Sequence, residues 1–181
     1  MIALTPHPSS PASAWTVSAV AERTAGNDLR LRYLIAGALE GLNVPSSGAV
    51  RRGDRLWEHT CAEAFVKAEG ASAYVELNFS PSQEWSAYAF TAYREGGALP
   101  ASRLAPTVDV RREPATLVLE ARVALNDLSS AYAGAAVLRV GLSMVTETVG
   151  GQCAYWALHH ARAQPDFHHA DAFALRLEAS A

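Results

Sequence analysis

The sequence predicts an all-β protein, an antiparallel β-sandwich of immunoglobulin-like or jelly-roll type. Short segments of strand-forming residues recur between Gly, Pro, Asn and Ser punctuation. Several of these segments alternate apolar and polar side chains, the pattern of a strand with one face on a core. Helical periodicity is almost absent, so the crossover helices that a parallel sheet needs are missing.

The elements follow in order. Residues 1–13 carry Pro6, Pro8 and Pro11 among serines and read as a flexible tail, leaving 14–181 as a single domain. Strands are predicted over 15–20 and 29–36, then over 60–67, 73–79 and 85–94, which form a meander. Further strands are predicted over 107–112, 116–125, 137–148, 153–159 and 173–178. In 116–125, Leu119, Ala121 and Val123 alternate with Glu120 and Arg122; in 137–148, Val140, Leu142 and Met144 alternate with Arg139, Ser143 and Val145. The best helix candidate, 125–132, is short. Gly150 and Gly151 mark a hairpin turn, and Pro165 marks a turn in the C-terminal segment.

The meander permits a register. A loop over 68–71 pairs Lys67 with Ser72 and sets Glu63 opposite Glu76. One face then collects Ala62, Ala64, Val66, Val75 and Leu77, and the other Cys61, Glu63, Phe65, Tyr74, Glu76 and Asn78. Slippage by one residue would mix the two sets, because side chains alternate with period 2. The third strand adds Ser86, Tyr88 and Phe90 to the mixed face and directs Trp85 to the core, opposite Phe79.

Facing glutamates repel, so an arginine, a shared proton, a cation or a ligand must offset them. Arg94, Arg122 and Arg139 are the candidate arginines. A solvated face with ordinary exposed acids is the plain alternative. Rings beside carboxylates and an amide also suit a sugar, since aromatic faces cover its C–H surface while polar groups fix its hydroxyls. Trp57 and Trp156 are the candidate stacking rings, against the reading of each as a core residue. Acids on adjacent strands could also approach the roughly 5 Å spacing of a retaining glycosidase.

Four of the six histidines lie in YWALHHARAQPDFHH. His159, Asp166 and His168 are metal-ligand candidates, but their spacing matches no zinc pattern, and the favoured reading is a loop whose Asp166 and His168 tie down backbone or edge the pocket. Cys61 and Cys153 are too few for a disulfide framework. No nucleophile elbow, phosphate loop or dinucleotide fingerprint is present. At 181 residues, 50% hydrophobic and 18% charged, with a net charge of -3, the chain has no footprint for nucleic acid or anionic membrane. No apolar run suits a membrane span or a signal peptide, so a cytoplasmic location is expected.

Three motifs, DRLWEHTCAEAF at 54–65, YVELNFSPSQEWSAYAFTAYR at 74–94 and YWALHH with PDFHH at 155–169, resemble the bacterial DOMON-like proteins, relatives of family 9 carbohydrate-binding modules. The resemblance implies a β-sandwich and a ligand-binding role, with sugars the best-known ligands. It matches Trp57 and Glu63 to sugar contacts and offers Trp156 as a second stacking ring. The expected function is non-catalytic binding of a small polar ligand, most simply a saccharide, by Trp57, Glu63, Glu76, Asn78, Tyr88, Arg94 and Trp156. No cofactor is required by this reading. Hydrolysis through Glu63 and Glu76, haem binding with Met144 as axial ligand, a divalent metal and a protein-interaction face are the alternatives.

Overall fold

The computed structural model describes residues 1–46, 48–100 and 104–179. Two sheets, antiparallel apart from one short parallel edge pair at Arg51–Arg52, face each other across one core, as the sequence predicts. The first sheet holds β1 (Ile2–Ala3), β3 (Trp15–Arg23), β4 (Asp28–Gly37), β11 (Thr116–Ala124) and β10 (Thr107–Glu113), in the order β1-β3-β4-β11-β10. The second runs β2-β13-β12-β6-β7-β8-β5. Its members are β2 (Thr5–Pro6), β5 (Arg51–Arg52), β6 (Cys61–Ala68), β7 (Tyr74–Phe79), β8 (Glu84–Ala92), β12 (Val137–Glu147) and β13 (Cys153–Ala157). Beside these, β9 (Glu95–Ala98) pairs with β8, and β14 (Leu175–Glu178) pairs with β12. The helix expected over 125–132 is broken into α1 (Leu125–Leu128) and α2 (Ser130–Ala133), with Ser129 capping the second. Among the described residues no helix is long and apolar enough to cross a membrane.

The core is built by the alternation seen in the sequence. Val17, Leu31, Ile35, Leu119 and Val123 point inward from the first sheet, and Ala64, Val75, Leu77, Trp85 and Leu142 meet them from the second. Two polar links cross this core. The Tyr33 hydroxyl donates to the Glu63 carbonyl (2.6 Å), and the Trp15 and Trp156 indoles both donate to the Thr146 hydroxyl (3.3 and 2.9 Å). Buried donors find partners, as burial requires.

Two expectations need correction. Residues 1–13 are not a loose tail: β1 pairs with β3, β2 pairs with β13, and Leu4 and His7 are buried between. Pro6 is tolerated because the two-residue β2 lies at a sheet edge, where a missing N–H breaks no central ladder, and Pro8 and Pro11 lie outside the strands. The meander register is also two residues from the one expected, with Glu63 opposite Asn78 and Phe65 opposite Glu76. A shift of two preserves both faces. Glu63 and Glu76 therefore still share a face, but as diagonal neighbours.

The mixed face is not solvated either. All six residues of β7 are buried. The segment 158–174 leaves β13, crosses this face and returns as β14 beside β12, the strand that β13 also pairs with. Its turn Ala170–Ala172 lies close over Gly141, where an added Cβ would sit 2.8 Å from the Ala172 carbonyl oxygen. This strap packs Phe167 and Phe173 onto Phe65 and Tyr74, forming a second, smaller apolar cluster outside the main core.

Candidate ligand-binding site

Where the strap stops short of covering the mixed face, a cavity of ≈ 340 Å³ remains. This lies at the small end of the ligand-pocket range. Its floor comes from the meander: Glu63 and Phe65 on β6, Glu76 on β7, Tyr88 and Phe90 on β8. Val145 and Tyr155 close one side, Phe167 and His168 of the strap close another, and Trp57 and Arg94 stand at the rim.

Beneath the cavity four polar residues form one row across four strands. Ser143 lies opposite Glu63, Glu63 opposite Asn78, and Asn78 opposite Ser86. All four are buried. Asn78 donates to Glu76 (2.8 Å), yet Asn78 Oδ1 and Ser143 Oγ find no hydrogen-bond partner among the described residues. Ser86 Oγ makes no hydrogen bond of standard geometry either, although the Tyr88 phenol lies near. Unmet polar groups at such depth are uncommon, because each forfeits its hydration without return.

Burial and the neighbouring Glu76 charge hold the Glu63 carboxyl well above its ordinary range. Burial also raises Glu76, while the Asn78 hydrogen bond and the Arg94 charge pull it back. Burial thus pushes both carboxyls toward the protonated form, and the two titrate as a pair.

The strap is latched at Asp166. Tyr93 donates to it (2.8 Å), Arg94 donates to it (3.2 Å) and Arg162 lies 3.4 Å away. Burial pushes Asp166 upward, but the hydrogen bonds from Tyr93 and Arg94 outweigh it and hold the carboxyl below its usual value. Arg94 has left-handed backbone (φ 57) in the β8–β9 turn, and its N–H donates to the Tyr74 hydroxyl (3.0 Å). The Tyr74 hydroxyl also shares a hydrogen bond with His168 Nδ1 (2.8 Å), whose Nε2 lies 3.6 Å from Glu76. Burial first, then the Arg94 charge, lower the His168 pKa to about 4, so the ring is neutral at neutral pH.

Trp57 sits on the 3₁₀ turn Leu56–Glu58, whose Leu56 is buried while Trp57 remains 37% exposed. Its ring meets Tyr88 edge-on at 5.3 Å, and the Tyr88 hydroxyl donates to Asp54 (3.0 Å). An exposed indole fixed beside a buried polar floor is a ready stacking surface.

The structure brings together Trp57, Glu63, Glu76, Tyr88 and Arg94 around the cavity, with Asn78 beneath it. Trp156 is not among them. It is 4% exposed, pairs with Met144 and lies in the main core, so it offers no face to a ligand. Its neighbour Tyr155 faces the cavity instead. Met144 is likewise sealed in the core, away from the cavity. Arg122 bonds Asp28 on the other sheet, leaving Arg94 as the arginine near the acids. His159 is exposed, and Asp166 and His168 are engaged by the latch and by Tyr74; no three described His, Cys, Asp or Glu side chains converge on a metal position. Tyr155 and Phe167 escaped the sequence reading, which put Ser86 on the mixed face but gave neither it nor Ser143 a role in the site.

The two-sheet sandwich is a known architecture. Solved structures share it. A candidate carbohydrate-binding protein from Bacteroides uniformis aligns over 98% of this chain and 86% of its own, with a TM-score of 0.66 and 16% identity. A family 9 carbohydrate-binding module from Caldicellulosiruptor kristjanssonii in complex with cellotriose aligns over 98% and 82%, with a TM-score of 0.58 and 10% identity. The module in complex with glucose gives 97%, 83%, 0.57 and 10%. At such identities the likeness is one of fold. No family model matches the sequence, and no curated protein matches it significantly.

Proposed function

We propose that the cavity binds a small saccharide without chemical change, as a DOMON-like relative of the family 9 modules. The carrying observation is a half-exposed, positioned tryptophan lining the same cavity as the buried Glu63, whose row of polar neighbours keeps unmet hydrogen-bonding groups. Trp57 covers an apolar sugar face, with Tyr88 and Tyr155 as flanking rings. Glu63, Glu76 and Asn78 accept hydrogen bonds from hydroxyls, and Arg94 balances charge. The shared fold of modules bound to glucose and cellotriose supports this reading. Thermal-shift and calorimetric titration with neutral mono- and oligosaccharides tests it, because a ligand of the native state raises the melting point. At least one sugar is expected to do so in the native chain and fail in Trp57→Ala. Equal binding by that variant, or a panel with no stabilising sugar, defeats the proposal.

One observation favours hydrolysis as a second reading: two acids line one cavity, and burial holds both carboxyls above their ordinary range, toward the protonated form that a general acid needs. Turnover of aryl glycosides that disappears in Glu63→Gln would establish it, and absence of turnover would dismiss it.

A further inference from the structure

We infer that the site is built for a ligand carrying a protonated primary amine, an unacetylated amino sugar, whose ammonium sits against Glu63 and Glu76. This rests on the saccharide reading and narrows its ligand class.

The hydrogen-bonding balance of the floor carries the inference. No described side chain donates a hydrogen bond to the Glu63 carboxyl, whereas Glu76 receives one from Asn78 and a long contact from His168. The fully buried Asn78 keeps its carbonyl oxygen bare. These unmet groups are acceptors; Glu63 lines the cavity itself, and Asn78 lies in the buried row beside it, where the Ser86 and Ser143 hydroxyls can act in either sense. A sugar hydroxyl brings one donor and two lone pairs that themselves need donors. An ammonium brings three donors and no lone pair, which matches the deficit.

The charge arrangement agrees. Three carboxylates, Glu63, Glu76 and Asp166, face two guanidiniums, and both guanidiniums are drawn to Asp166. Among the described residues no Lys or Arg makes an ion pair with either glutamate, although the Arg94 charge acts on Glu76, so part of their repulsion is left for a ligand to relieve. Rings complete the setting, since Trp57, Tyr155, Phe65 and Phe90 line the same space and aromatic rings attract cations. Hydroxyl-only sugars would use the rings but not the charge.

Proton release accompanies such binding. Cys61 on the same strand, Glu76 on β7, Tyr155 on β13 and Tyr33 from the opposite sheet face Glu63, while Arg94, Asp166 and His168 surround Glu76. None of these supplies a cation to Glu63. Burial and the Glu76 charge keep its proton on, and an adjacent ammonium reverses that balance, driving the proton to solvent.

Calorimetric titration of the full chain with glucosamine, N-acetylglucosamine and glucose at pH 6.5 decides the matter. Repeating it in two buffers of different ionisation enthalpy counts the protons. Glucosamine is expected to bind at least about tenfold tighter than the other two, with net proton release, and Glu63→Gln and Glu76→Gln should each reduce that preference. Glucose binding as tightly as glucosamine overturns the inference and leaves the saccharide reading standing. Failure of all three sugars to bind the folded chain overturns both. Preference unchanged in both variants, each melting cooperatively, overturns the assignment of the amine to the glutamates.

Discussion

The Tyr33 hydroxyl, projecting from the inner face of one sheet, donates a 2.6 Å hydrogen bond to the main-chain carbonyl of Glu63 on the other. The strand that carries the central acid of the cavity is thereby tied across the core. Tyr33→Phe removes the donor while keeping the ring. It should cost about 1 kcal/mol of stability, the usual net worth of such a bond, with cooperative unfolding retained. Urea denaturation measures this, and an unchanged midpoint would deny the bond any role.

Two tryptophans should separate cleanly. Trp57→Ala, at an exposed position, should leave the melting temperature nearly unchanged and weaken saccharide binding by more than about tenfold. Trp156→Ala opens a hole in the core and orphans a hydrogen bond to Thr146, at a cost of about 3–5 kcal/mol. Paired melts and titrations check both.

Glu63 gives a pH test. Its pKa is raised in the folded state, so its contribution to stability is full below the unfolded value near 4.5 and is lost as pH rises through the folded value. Glu63→Gln, which mimics the protonated acid, should therefore stabilise the protein more at pH 8 than at pH 4.5. Melting curves of both chains at the two pH values suffice, and an equal effect at both would contradict the raised pKa.

His168 has the opposite sign. With a folded pKa of about 4, it contributes stability above pH 6.5 that fades as pH falls toward 4. Replacement by Gln should flatten this part of the stability profile, as read from denaturant midpoints across the range.

Gly141 ties fold to site. A methyl group there meets the Ala172 backbone at 2.8 Å, so Gly141→Ala must shift the strap. A loss of about 1–3 kcal/mol is expected, the usual cost of overpacking. Binding should weaken as well, because Phe167 and His168 ride on the same segment.

How far the sequence reaches is clear from particular residues. The meander faces were legible because Ala62, Ala64, Val75 and Leu77 contrast sharply with Glu63, Glu76 and Asn78. Its register was not, since a two-residue shift leaves the same pattern and only the turn between β6 and β7 distinguishes the two. Trp156 was assigned to a ligand because CAYWA, buried or half-buried on both sides, offers no contrast between faces. The short β1 and β2 carry too few residues to show any period, and their pairing is settled by contacts distant in sequence. The strap over 158–174 is irregular backbone, so its course across the mixed face follows from where β13 and β14 both join β12.

A crystal of the chain soaked with glucose at saturating concentration tests the central claim most directly. The account predicts a sugar ring against the Trp57 indole, with hydroxyls within about 3 Å of the Glu63 and Glu76 carboxylates. Sugar seated on the outer face of the other sheet, with none in contact with Trp57 or Glu63, would contradict it.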